Sequence, residues 1–136
     1  MTTPERSDQT GGHEKTAISN LIVGLFREYA GRGPTRARTA IQDDLVACVL
    51  HDTLTRVERT LVSRGETESV LQRRRISQGL MRDEAVAGVE KILEREVIAF
   101  LGDNHIDPDV AVLTWVLAPK PKARRPESAD LAPKTA

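Results

Sequence analysis

The sequence predicts an α+β fold of two layers, in which two β-hairpins form an antiparallel sheet and helices cover one of its faces. Two observations predict this class. Strand-like segments occur in two consecutive pairs, and the helical segments stand apart from them, in the order α-β-β-α-α-β-β. Consecutive pairs favour antiparallel strands, and segregated helices pack on one side of such a sheet. One sheet face or edge then stays uncovered, so we expect a homodimer.

Size and charge bound the class of protein. The 136 residues fit one domain, and the 20 basic and 20 acidic side chains balance, which gives no reason to expect a nucleic-acid partner. Apolar runs are far shorter than the ~18 residues that a membrane-spanning helix needs, so we expect no membrane insertion. The single cysteine, Cys48, excludes an internal disulfide and favours a cytoplasmic protein in which it is a small buried hydrophobe.

Both ends of the chain have the composition of disordered tails. Residues 1–12 are polar without periodic apolar positions, and residues 119–136 hold four of the seven prolines. Such segments cannot bury enough apolar surface to offset the entropy of ordering. We therefore predict one folded domain over residues 13–118.

The first helix has the clearest pattern. Its apolar side chains recur at spacings of three and four, as Ile18, Leu21, Ile22, Leu25, Phe26 and Tyr29; this spacing forms one helical stripe that faces the core. A structural turn should follow at Gly31, Gly33 and Pro34. Glycine accommodates a left-handed helix cap, and the proline disfavours helix at the residue before it.

Strand-like segments over 35–42 and 45–51 flank an Asp43-Asp44 turn and predict the first hairpin. Its second strand is apolar on both faces, which indicates a central, covered strand. The second hairpin joins 97–101 to 110–116 through a loop rich in turn formers over 102–109. Arg36 and Arg38 share one face of the first hairpin.

Two helices are predicted between the hairpins. Thr55 and Glu58 form a capping-box pattern that starts a short helix. A helical stripe then runs over 67–96, about 45 Å if unbroken, so we expect either a break near Gly79 or a first half that packs on another subunit. Acidic residues are interleaved with the arginines here, which favours a solvated, salt-bridged face over a nucleic-acid surface; these arginines are Arg56, Arg59, Arg64, Arg73, Arg74, Arg75 and Arg82.

Three segments together resemble the MpsC-like family of bacterial proteins. They read EYAGRGP at 28–34, ARTAIQDDL at 37–45 and FLGDNHIDPD at 100–109, and the resemblance covers residues 13–117. The family is named after a sodium-translocating, membrane-potential-generating system. The resemblance implies a small non-catalytic accessory or regulatory module of a membrane ion or bicarbonate system. It also implies an antiporter-like membrane subunit as partner and a place at the inner face of the membrane, and it carries over no catalytic residue and no cofactor.

The glycine-rich corner after the first helix is the first candidate site. Arg32, Arg36 and Arg38 could together bind a small anion, a nucleotide or a partner protein, because guanidinium groups bind phosphate and carboxylate bidentately. The corner follows a helix C-terminus, where the helix dipole disfavours anions, and it lacks the glycine spacing of nucleotide-binding loops. A plain turn with Arg32 paired to a nearby carboxylate remains the alternative.

The loop of the second hairpin is the second candidate site, through Asp103, Asn104, His105 and Asp107. A recognition surface and turn chemistry both fit these residues. Metal binding does not, because the loop departs from the calcium-loop pattern and zinc prefers more nitrogen or sulfur ligands. We find no nucleophile with a credible base, so the sequence predicts neither an enzyme nor a cofactor.

Overall fold

The order predicted from the sequence is confirmed. A computed structural model of the chain describes the backbone of residues 2–120 and the side chains of residues 11–120. The elements are α1 (Thr2–Ala30), β1 (Arg36–Gln42), β2 (Leu45–His51), α2 (Arg56–Ser63), α3 (Thr67–Leu93), β3 (Val97–His105) and β4 (Val110–Leu117). The fold is α+β, with three helices and one antiparallel sheet among these residues.

The four strands follow the order β1-β2-β4-β3, so the second hairpin adds to the first through β4. Each neighbouring pair is antiparallel, and a register shift interrupts β3 between Val97 and Ala99. Side chains of β1, β2 and β4 alternate between a buried face and a more exposed one. Helices α1 and α3 pack on the buried face, α1 over β1 and α3 over β3.

The predicted stripe of α1 is confirmed, because Ile18, Ile22 and Phe26 are fully or almost fully buried. The helix ends at Ala30, and Gly31 follows with φ of +82°, the left-handed conformation that glycine adopts without strain. At its other end the helical backbone begins at Thr2, whereas the sequence predicts a disordered tail over 1–12. Most of the predicted C-terminal tail, residues 121–136, lies outside the described residues.

The capping box that starts α2 is confirmed. Glu58 N donates to Thr55 Oγ1, and Thr55 N donates to the Glu58 carboxylate. Helix α3, by contrast, is continuous through Gly79, so the expected break there was wrong, whereas packing of its first half on another subunit stays a prediction. A glycine inside a helix costs only about 1 kcal/mol relative to alanine, and the first half of α3 packs against α2 of its own chain.

The core lies between the sheet and the two long helices. Trp115 of β4 is fully buried and donates from Nε1 to Ala85 O of α3 at 3.1 Å, so its one polar group is satisfied. Phe100 packs beside it, with 5.2 Å between the ring centroids. Phe100 is partly buried and packs against the core cluster to which Trp115 belongs.

Strand β2 is central in the sheet, as predicted, but it is covered on one face only. Val46, Cys48 and Leu50 point toward the helices and are fully buried, whereas Ala47 and Val49 on the other face are half-buried. The prediction of a covered strand was wrong because small and β-branched residues also suit an uncovered sheet face.

Candidate functional site

Three connections of the chain meet at one end of the sheet, because antiparallel strands bring the start of β1 and β4 beside the end of β2 and β3. We call this region the loop corner and define it by residues 31–35, 52–55 and 105–109. Its parts are the connection between α1 and β1, the connection between β2 and α2, and the turn of the second hairpin. The loop corner unites the two segments in which the sequence predicts candidate sites.

Asp109 holds the loop corner together. Its carboxylate accepts hydrogen bonds from Thr53 N at 3.0 Å, Thr53 Oγ1 at 3.1 Å and Leu54 N at 2.9 Å, and its backbone carbonyl accepts from Asp52 N at 3.0 Å. Bonds to a charged acceptor are stronger than neutral ones. The second hairpin is therefore fixed to the connection between β2 and α2.

Arg32 lies half-buried at the rim of this region. Its Nε donates to Asp52 O at 3.0 Å, and Thr35 Oγ1 donates to the Asp52 carboxylate. Beside them a pocket of about 540 Å³ opens, lined by Arg32, Thr35, Asp52, Leu54, Arg59, Val62, Ser63, Ile106, Asp107 and Asp109. The pocket combines apolar walls with a rim of both charges, the usual composition of a protein-binding surface.

A buried polar network lies beneath the loop corner. Arg74 of α3 is 2% exposed and pairs with Glu58 of α2 at 3.2 Å. It also donates to Thr53 O at 3.1 Å and to Thr53 Oγ1, and its guanidinium lies 5.5 Å from the centre of the Phe26 ring. Thr53 in turn donates to Asp109, so the network connects α3 to the anchor of the corner.

The same network continues to the second hairpin. Gln78 Nε2 donates to Asn104 Oδ1 at 3.0 Å, and Arg74 Nε approaches the same oxygen at 3.4 Å. All buried side-chain nitrogen and oxygen atoms in the described part of the chain have a hydrogen-bond partner. A satisfied network of this kind fixes the position of the loops above it.

Comparison with known families identifies the chain. A family model described as "MpsC: Na+-translocating membrane potential-generating system (MpsC)" matches residues 10–119. The chain belongs to the MpsC family. No curated protein and no solved structure matches it. The description of the MpsC family names a Na⁺-translocating membrane system and no reaction. Within residues 2–120, none of the helices combines the length and the apolar character that crossing a bilayer requires.

In this MpsC-family chain the predicted site residues separate into four places. Arg32 and Asp107 line the pocket of the loop corner. Arg36 lines a neighbouring pocket of about 470 Å³, where its Nη2 lies 3.5 Å from His51 Nε2. Arg38, Asp103 and His105 lie on the uncovered face of the sheet. Asn104 belongs to the buried network. Arg32, Arg36 and Arg38 thus do not converge on one point.

The turn of the second hairpin does not gather metal ligands. His105 Nδ1 donates to Pro108 O at 2.9 Å, across the cis Asp107-Pro108 bond. Asp103 lies on the sheet face and Asp107 at the loop corner, so the two carboxylates belong to different surfaces. In the described residues no three His, Cys, Asp or Glu side chains lie together as a metal site would need.

Cys48 is wholly buried on the helix-facing side of β2. Burial raises the pKa of its thiol, although hydrogen bonds with Thr39 and Ser19 act in the opposite direction. A thiol kept protonated is a poor nucleophile. Its position agrees with the interpretation of Cys48 as a buried hydrophobe.

The sequence missed Arg74, Glu58 and Gln78 as buried residues, although a signal was present. The buried positions of α3 are Val70, Arg74, Gln78, Met81, Ala85 and Val89, at spacings of three and four. Arg74 and Gln78 therefore occupy the apolar stripe itself. A polar residue on a core-facing stripe predicts a buried partner, and the capping residue Glu58 supplies it.

Proposed function

We propose that this chain is a homodimeric, non-catalytic accessory module of a Na⁺-translocating membrane system. It lies in the cytoplasm at the inner face of the membrane and binds an antiporter-like subunit of that system through the loop corner. Membership of the MpsC family supports the link to the system. The observation that carries the binding site is the pocket that brings together Arg32, from the connection between α1 and β1, and Asp107, from the turn of the second hairpin.

The loop corner has the properties of a preformed docking site. Hydrogen bonds to Asp109 and from the buried Arg74 fix its backbone. Because the backbone is already ordered, less conformational entropy is lost on binding. Leu54, Val62 and Ile106 give the pocket apolar walls. Arginine is enriched among the residues that contribute most to protein interfaces.

Small-anion or nucleotide sensing remains the alternative, and the geometry gives it less support. Asp52 and Asp109 line both of the pockets that Arg32 and Arg36 reach, so carboxylates surround these guanidinium groups. A phosphate would meet negative charge there. A rise in melting temperature with phosphate or a nucleotide, as ligand linkage requires, would favour this alternative.

The test is capture of the tagged full chain from gently solubilised native membranes, followed by mass spectrometry. We expect the wild type to recover an antiporter-like subunit, and Arg32→Glu and Asp107→Lys each to lose it while keeping the melting temperature. Arg64→Glu and Asp83→Lys are matched controls, since both residues are exposed and line none of these pockets. Equal recovery by all five proteins would refute the docking site. Recovery of this chain alone would refute the accessory role.

A further inference from the structure

The uncovered face of the sheet has an ordered distribution of charge. The register aligns its side chains in four rows, one residue from each strand in the order β1, β2, β4, β3. These rows are Arg36-His51-Val110-His105, Arg38-Val49-Val112-Asp103, Ala40-Ala47-Thr114-Leu101 and Gln42-Leu45-Val116-Ala99. On this face the arginines therefore lie on the edge strand β1 and Asp103 lies on the opposite edge strand β3. The side chains of the two central strands are mainly apolar.

This face is unusual for a solvated surface. Leu45 is 48% exposed and Leu101 is 57% exposed, and Val49, Val112 and Val116 add half-buried apolar area between them. In the described part of the chain the helices lie on the opposite face. A contiguous apolar patch with charged borders marks an interaction site.

We propose that this face packs against the same face of a second copy of the chain, about a two-fold axis that runs between the sheets and parallel to the strands. Rotation about this axis reverses the order of the strands across the sheet and keeps each residue at the same position along the strands, so each row faces the same row of the partner subunit. It therefore places β1 of one protomer opposite β3 of its partner, and β2 opposite β4. The inference rests on the homodimer of the proposed function and names its interface.

The charges select this axis. It brings Arg38 of each protomer opposite Asp103 of the other, because both residues belong to one row, so two ion pairs form at the two borders of the interface. Packed sheets lie about 10 Å apart, a gap that an arginine side chain can bridge. The alternative axis, perpendicular to the strands, sets the arginines of both copies along one edge, where like charges repel.

The apolar rows match under the same operation. Val49 faces Val112 of the partner subunit, and the 57% exposed Leu101 meets the small Ala40 of the partner subunit. Large side chains opposite small ones let two faces interdigitate. An isologous contact of this type uses the same patch twice and closes as a dimer.

The test measures the dimer dissociation constant of the full chain by sedimentation over a range of concentrations. We expect Arg38→Asp and Asp103→Arg each to raise it about tenfold or more, since the symmetry breaks two pairs at once. The double variant Arg38→Asp/Asp103→Arg restores both pairs with exchanged charges. It should therefore return the constant to within about threefold of the wild type.

A second pair of variants tests the apolar centre without relying on charge pairing. Leu101→Lys should dissociate the dimer, whereas Leu80→Lys on the exposed side of α3 should not; Leu80 is 64% exposed and is the matched control. A wild-type dimer insensitive to Arg38→Asp and Leu101→Lys overturns this interface while leaving the homodimer standing. A chain that is monomeric at every concentration overturns both, and the membrane-capture experiment judges the accessory role separately.

Discussion

Arg74 shows how burial changes what a charged side chain does. The sequence placed it among seven arginines of a solvated helix face, yet only 2% of it is exposed. Its charge is balanced by Glu58 at 3.2 Å, and Thr53 and Asn104 accept its other hydrogen bonds. An ion pair so far from water is costly to break on one side only, because the remaining charge stays buried without a partner.

Replacing Arg74 with methionine should lower the free energy of unfolding by about 3 kcal/mol, because it leaves the buried Glu58 carboxylate with only the half-exposed Arg73, at 3.8 Å, as a cationic partner. Denaturation in urea measures this loss. Arg75→Met is the control, since Arg75 is the exposed neighbour, and it should change stability by less than about 0.5 kcal/mol. Adding Glu58→Gln to Arg74→Met removes the buried charge and should recover part of the loss. Similar losses from Arg74→Met and Arg75→Met would show that the buried pair does not carry this energy.

Residue identity alone could not separate Arg74 from Arg75. Both are basic and both lie in a helix, and the difference is the side of the helix on which they fall. The periodicity of the buried positions assigns Arg74 to the core side and Arg75 to solvent. The many arginines of α3 indicate a solvated face, whereas the spacing of its buried residues places Arg74 on the core side. For Arg74 the spacing gives the correct answer.

At the scale of elements, α1 and α3 approach closely over the sheet. A Cβ added to Gly88 of α3 would lie 2.5 Å from Leu21 Cδ2 of α1, so the absence of a side chain there permits the contact. Nearer the end of α1, the Tyr29 hydroxyl donates to the Glu84 carboxylate of α3. This hydrogen bond, with desolvation second, raises the pKa of Tyr29 from 10.0 to about 12.

The shift predicts how the α1–α3 contact responds to alkaline pH. The folded-state pKa exceeds the unfolded value, so the interaction is complete below pH 10 and is lost as the pH rises from 10 toward 12. Tyr29 is the only tyrosine of the chain, and its ultraviolet absorbance therefore reports one group. We expect an ionisation midpoint near 12 in the folded wild type and a lower one in Glu84→Gln. Circular dichroism checks that both proteins stay folded. The same midpoint in both folded proteins would show that the hydrogen bond to Glu84 does not raise the pKa of Tyr29.

Local signals predicted the elements themselves well. Turn formers at Asp43-Asp44 and in the 102–109 loop indicated both hairpins, and the Thr55 capping box indicated the start of α2. Local signals could not predict the strand order, because the pairing of β2 with β4 joins residues 59 to 71 positions apart and leaves no local pattern. The same long-range pairing puts Arg32 and Asp107 on one pocket, so the sequence named both residues without bringing them together.

At the scale of the whole molecule, the two faces of the sheet have different roles. One face is sealed by α1 and α3 and holds the core, with Cys48, Leu113 and Trp115 at full burial. The other is the proposed dimer interface, and the pocket that Arg32 and Asp107 line lies at the end of the strands and includes no residue of the four rows. Partner binding and self-association can then occur on separate surfaces of one small domain.

Cys48 offers a test of how cooperatively this molecule opens. It is the only cysteine, it is fully buried in a central strand, and burial raises the pKa of its thiol, so alkylation requires the sheet and helices to separate. With an unfolding free energy of about 5 kcal/mol or more, the native chain should react at least about 10³-fold more slowly than the chain in urea. Mass spectrometry after timed alkylation measures both rates.

Arg74→Met should accelerate the native reaction in proportion to its loss of stability, whereas Ser63→Cys in a Cys48→Ala background, an exposed thiol, should react at once. Rapid labelling of native Cys48 without a change under Arg74→Met would mean that β2 opens locally, independent of the core around it.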